Sequence, residues 1–159
     1  MNLSQHLTLA EVIRSSTAKR LGISNMPTEE HLANLKIWAE KIYEPIWNHF
    51  KKCFLSSGYR SKQLNAATKG ASATSQHSTG EAGDIDMDGT EIKNSEIFYF
   101  VLDNLEFDQL IYEYGNDENP DWVHVSYETS GKPQRKQILK CVRVNGLPKY
   151  IPFVDKRKK

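Results

Sequence analysis

The chain has 159 residues with 21 basic against 20 acidic side chains, so its formal charge of +1 gives no overall pull toward nucleic acid or an anionic surface. A mean hydropathy of −0.61 suits a globular protein with a core and a polar exterior. No stretch is long and apolar enough to span a bilayer, and Met1-Asn2-Leu3-Ser4-Gln5-His6 lacks the basic opening and apolar run of a signal peptide. Neither membrane insertion nor signal-led export is expected. The two cysteines, Cys53 and Cys141, fall in segments that read as strands and are expected to be buried, reduced thiols. No Cys-x-x-Cys pair is present, which excludes a thiolate zinc site of that kind.

In chain order, Thr8-Leu9-Ala10-Glu11 reads as a capping box opening a helix to about Arg20, with Gly22 as its stop. Pro27 and Thr28 open a second helix. Leu32, Leu35, Ala39, Ile42, Ile46 and Phe50 recur on its core face, and Pro45 should kink or break it. Cys53 to Tyr59 reads as a strand, Ser61 to Lys69 as a short helix, and Gly70 to Thr79 as a loop. Gly83 to Asp88 reads as a strand with Ile85 and Met87 opposite the aspartates. Asn94 is placed to cap a helix to about Leu105. Gln109 to Tyr114 and Trp122 to Tyr127 read as strands around a turn-rich connection, and Gln134 to Val144 with Leu147 to Phe153 as a hairpin on Asn145-Gly146. Helices first and strands later argue an α+β fold, N-terminal helices on a mainly antiparallel sheet. One domain is expected over residues 1–154, with 155–159 a solvated basic tail.

The chemistry concentrates in Ser75-Gln76-His77-Ser78-Thr79-Gly80-Glu81-Ala82-Gly83-Asp84 and in Asp121-Trp122-Val123-His124. His77, Asp84 and His124 supply two imidazoles and a carboxylate, the ligand set of a zinc hydrolase with an open position. Gly80, Ala82 and Gly83 are small enough for the backbone to bring His77 and Asp84 to one point. Strand alternation puts Trp122, His124 and Ser126 on one face. Asp121, next to that strand, is a candidate acid/base for an attacking water and a leaving amine. Arg60, in Ser57-Gly58-Tyr59-Arg60-Ser61, is a candidate for holding a substrate carboxylate or stabilising an oxyanion. Taken singly, each has an ordinary explanation: a surface ion pair for Arg60, turn chemistry for Asp121, a turn cap for Asp84. Their joint pattern carries the reading. His6, His31 and His49 are taken as surface or core histidines.

Asp84-Ile85-Asp86-Met87-Asp88-Gly89 also matches the start of an EF-hand calcium loop. Ser95 then stands where a bidentate glutamate is needed, and Glu91 where an apolar residue is usual. A non-catalytic metal-binding protein of the wall or virion is a further class. A nucleic-acid binder lacks a basic patch.

Ser75-x-His77-x-x-Gly80-x-Ala82-x-Asp84 and Asp121-Trp122-x-His124 resemble the two motifs of the D-Ala-D-Ala carboxypeptidase-like zinc peptidases, and Ser57-Gly58-Tyr59-Arg60-Ser61 with Leu64-Asn65 resembles their upstream arginine motif. Leu7-Thr8-Leu9-Ala10-Glu11 and Asn25-Met26-Pro27 resemble phage and prophage members. The resemblance extends to about Tyr127. It implies the fold shared with the hedgehog signalling domain and one zinc ion on His77, Asp84 and His124. It implies Asp121 as acid/base, though some members carry glutamate there, and Arg60 and Ser75 as substrate contacts. The implied substrate is a peptidoglycan stem peptide. The implied protein is a monomeric lysin with no nucleic-acid partner, made in the bacterial cytoplasm and acting at the wall after release. D,D-carboxypeptidase and L-alanyl-D-glutamate endopeptidase activities both remain open.

Overall fold

The computed structural model describes residues 1–157. Its first helix, α1 (Leu9–Ile13), starts on the expected capping box, with Thr8 and Glu11 bonded reciprocally. The helix expected to continue to Arg20 breaks at Arg14. Ser15 accepts from the Ala18 amide at 3.1 Å and caps a separate α2 (Ser16–Leu21). A serine there offers the backbone a local partner that competes with helix continuation. Helix α3 (Glu29–Trp38) runs through one π-helical turn, Ala39–Tyr43, into α4 (Glu44–Phe50). Pro45 has no amide hydrogen for the α-helical ladder, and the predicted kink takes the form of that turn.

Strand β1 (Leu55–Ser57) and helix α5 (Lys62–Ala67) are shorter than the sequence implies, and the 70–79 loop contains a 3-10 turn, Gln76–Thr79. Then come β2 (Ala82–Ile85), α6 (Asn94–Asn104), β3 (Gln109–Glu113), β4 (Trp122–Ser126), β5 (Gln137–Val144) and β6 (Leu147–Pro152). Asn94 does not cap α6; Lys93 holds that position. Instead Asn94 is buried, accepts from the Met87 amide at 2.7 Å and donates to the Asp121 carbonyl at 2.9 Å, fixing the approach to β4.

The strands form one six-stranded sheet in the order β1-β2-β4-β3-β5-β6. Neighbours are antiparallel except β3 and β5, which run parallel because the chain leaves β4 and crosses β3 to lay β5 on its far side. Asn145 and Gly146 both take positive φ, 53° and 78°, as a tight twisted hairpin turn requires.

The helices cover one face of the sheet. Leu110, Tyr112, Val123, Val125 and Ile85 point into a core with Leu35, Trp38, Ile42, Ile46, Ile97, Phe98 and Val101, all buried. Trp38 donates through its indole to the Val125 carbonyl at 3.1 Å and lies against Gly83, where a Cβ would come within 2.5 Å of the ring. This contact seats the helical layer directly behind the strands that carry the metal-ligand candidates. Arg157 pairs with Asp103 at 2.8 Å and stacks 3.9 Å over the Tyr99 ring, and Lys156 reaches Asp117 at 3.1 Å. Lys158 and Lys159 lie outside the described residues.

Candidate metal centre

The face of the sheet away from the helices carries the site, and register explains its composition. Asp84 on β2 pairs with His124 on β4, and His124 with Ile111 on β3. One row further, Trp122 pairs with Glu113, and Glu113 with Cys141. Because side chains alternate, all of these project from one face while Val123 and Val125 enter the core.

His77 arrives from the 3-10 turn. Its carbonyl accepts the Arg60 amide at 3.1 Å, and its Nδ1 lies 2.7 Å from the Gly58 carbonyl. Ser75 caps the turn through the His77 amide at 3.2 Å, and Asn34 of α3 donates to the Thr79 carbonyl at 2.9 Å. Gly80 ends the turn at φ 79° with no room for a side chain, since a Cβ would meet the His31 carbonyl at 2.5 Å. The small residues singled out from sequence thus let the turn lie against α3 and return into β2.

The three side chains meet at Asp84. Its Oδ1 is 3.3 Å from His77 Nε2 and 3.1 Å from His124 Nδ1, and the ligand atoms of the trio lie within 4.8 Å of one another. All three residues are buried. Burial opposes ionisation of Asp84, but the two imidazoles outweigh it and hold its carboxyl well below the usual carboxylate range. The donor set fits a zinc ion. A backbone carbonyl can only accept, so His77 Nδ1 carries a hydrogen, and Nε2 is the nitrogen that would offer its lone pair to an ion held beside Asp84. Asp86 and Asp88 do not join them, being tied to Asn94 at 3.1 and 3.4 Å, so the EF-hand arrangement does not form.

The remaining candidates fall at different distances from this centre. Arg60 projects over the same face. Burial lowers its pKa, against the opposing influence of Asp84, Tyr150 and Glu113. Its Nη2 touches Ser75 Oγ loosely at 3.4 Å, and its buried Nε has no hydrogen-bond partner. Ser75 therefore shapes the metal turn and steadies Arg60. Asp121 is exposed at the foot of β4. It lines a surface cleft with Tyr114, Asp117, Lys140 and Arg143, and its charge couples to Asp88. Cys53 and Cys141 are buried free thiols. The other histidines serve packing: His6 stacks on Trp47 at 3.5 Å, His31 meets the Tyr59 hydroxyl at 2.9 Å, and His49 stacks on Phe100 at 4.4 Å.

Sequence reasoning passed over Glu113. It is 6% exposed on the metal face, diagonal to His124. Burial first, and then the charge of Asp84, push its carboxyl up to about 7, against His124 and Arg60. A buried acid with a raised pKa beside a ligand cluster and an arginine is a candidate for acid/base work. Its one sequence signal is a charged residue directly after the apolar run Leu110-Ile111-Tyr112 of that strand.

Two imidazoles and a carboxylate on a sheet face, with a second acid and a guanidinium alongside, are the parts of a metal-dependent hydrolase. The chain matches the Peptidase M15 family over residues 5–126 and belongs to it. No curated protein matches the chain. The match ends at Ser126, the last residue of β4, and leaves β5 and β6 beyond it. Among the described residues, no helix is long and apolar enough to cross a membrane.

Proposed function

We propose that the protein is a zinc peptidase that cleaves the stem peptides of peptidoglycan, with one zinc ion per chain on His77 Nε2, Asp84 Oδ1 and His124 Nδ1. The observation that carries this reading is the meeting of both imidazole nitrogens at Asp84 Oδ1, in a chain of a peptidase family. Zinc held there supplies Lewis acidity and lowers the pKa of water to about 7.

The chain's own residues supply the rest. Glu113 takes a proton from the attacking water and returns it to the leaving amine; its raised pKa suits both transfers. Asp121 is the second candidate for that role, by its place three residues before His124 in the motif. Arg60 holds a donor ready for substrate. Its Nη2 is held only loosely by Ser75, and a substrate oxygen that pairs with this end of the guanidinium would have its developing charge neutralised. Ser75 orients Arg60 from the other side. The resemblance of the N-terminal segments to phage members supports a lysin with the hedgehog-type fold, monomeric, made in the bacterial cytoplasm and reaching the wall after release.

Mass spectrometry of purified peptidoglycan after incubation, with zinc and with chelator, tests the function and identifies the bond. Zinc-dependent release of stem-peptide fragments is expected. Intact peptides in the presence of zinc-loaded protein would overturn it.

A further inference from the structure

The site row that contains Glu113 does not stop at the family-matched segment. Glu113 on β3 pairs with Cys141 on β5, and Cys141 with Tyr150 on β6. Alternation places all three on the metal face, with Cys141 of the middle strand between Glu113 and Tyr150 in the row. Strand β6 is two strand spacings, roughly 10 Å, from β3. That is the width of a lane for an extended peptide. Tyr150 is half exposed there, and its phenol and Glu113 both lie in the field of Arg60.

We propose that the β5–β6 hairpin walls the substrate cleft on the Glu113 side, and that the Tyr150 hydroxyl donates a hydrogen bond to a carbonyl or carboxylate oxygen of the bound peptide. The proposal rests on the peptidase reading above. Burial, and then the Glu113 carboxylate, raise the Tyr150 pKa, so the phenol stays a neutral donor throughout the working range. It complements Arg60, whose guanidinium feels the Tyr150 side chain, so a peptide lying across this part of the face has two kinds of donor to pair with. Packing explains the ring of Tyr150; its hydroxyl borders a weakly bonding thiol and is open to pair with a ligand or solvent. Lys149, the neighbour in β6, points to the other face and provides a control.

The test compares zinc-loaded wild type, Tyr150→Phe and Lys149→Ala on a panel of soluble peptidoglycan stem peptides. Zinc content and melting temperature are read alongside. Tyr150→Phe should keep its zinc and its melting temperature and lose about tenfold or more in kcat/KM. Lys149→Ala should match wild type. A Tyr150→Phe variant within about twofold of wild type would overturn the role of Tyr150 and leave the peptidase reading standing. Wild type that holds zinc but cleaves no member of the panel would overturn the peptidase reading, and the Tyr150 role with it. Tyr150→Leu, an apolar side chain with no hydrogen-bond donor, gives the same readout should Tyr150→Phe fold poorly.

Discussion

His77 donates through Nδ1 to the Gly58 carbonyl at 2.7 Å, and this bond decides which of its nitrogens is free to bind a metal. The carbonyl belongs to the main chain, so no side-chain substitution at Gly58 removes it. The ligand orientation is built into the crossing of two backbone segments, residues 58–60 and the turn at 76–79, which are also joined by the Arg60 amide.

The first prediction concerns the metal itself. His77→Ala and His124→Ala should each lose zinc, read as stoichiometry by elemental analysis after dialysis. A variant that still holds one zinc per chain would break the assignment. In the wild type, metal bound only to the folded state adds stability. At about a hundred times the dissociation constant this is about 2.7 kcal/mol. For a chain of this size it should raise Tm by roughly 5–10 °C, and a chelator should remove that increment.

The second prediction separates the two acids. Glu113→Gln should lower kcat by about 10²- to 10⁴-fold with zinc retained, while Asp121→Asn keeps most of the activity. The opposite pattern would move the proton-carrying role to Asp121. A stability readout stands apart from catalysis. The folded-state pKa of Glu113 is raised from 4.5 to about 7 in the metal-free protein. Its contribution is therefore fully present below the unfolded value and lost as pH rises through the folded one. Metal-free Glu113→Gln should show a flatter fall in Tm between about pH 5 and about pH 8 than wild type.

The contrast between these acids shows what the sequence made legible. His77 and Asp84 could be read because their spacing, with Gly80 and Gly83 between, is a local pattern, and His124 because it sits in a second short motif, Asp121-Trp122-Val123-His124. Strand alternation likewise told which side of β4 His124 faces. Glu113 could not be read this way. Its place beside His124 is a matter of register between β3 and β4, which no local spacing records. The parallel pairing of β3 with β5 was hidden for the same reason, and with it the approach of Tyr150. The break after α1 was a local competition misjudged: Ser15 was read as helix interior and acts as a cap. Asn94 was read as a cap and acts as a tertiary clamp, since a buried side-chain amide serves whichever backbone groups the fold leaves beside it.

The third prediction tests the contact behind the site. A Cβ at Gly83 would lie 2.5 Å from the Trp38 ring, which is itself 1% exposed and held to β4 through its indole. Neither partner can retreat without moving the sheet or α3. Gly83→Ala should cost about 1–3 kcal/mol by overpacking and lower Tm by several degrees. Because Gly83 adjoins Asp84, zinc affinity should weaken as well. Unchanged Tm and affinity would show that the helical layer is free to shift away from β2.

The fourth prediction concerns acid stability on the other flank of the metal turn. Asp108 is 3% exposed. Arg135 donates to it from Nη2 at 2.7 Å, from Nε at 3.0 Å and from its amide at 2.8 Å, and Gln76 donates at 3.1 Å. Burial opposes ionisation of Asp108, but these bonds outweigh it and leave the pKa below its ordinary 3.8. A lowered folded-state pKa contributes stability above the unfolded value and loses it as pH falls through the folded one. Asp108→Asn should therefore cost about 1–3 kcal/mol near neutrality, and the gap to wild type should narrow between about pH 5 and about pH 3. Denaturant melts of both proteins across that range give the measurement. Since Gln76 immediately precedes His77, the same variant should weaken zinc binding near neutral pH. A constant gap at every pH would mean that the Asp108 charge contributes nothing, and that the carboxylate acts only through its shape and neutral hydrogen bonding.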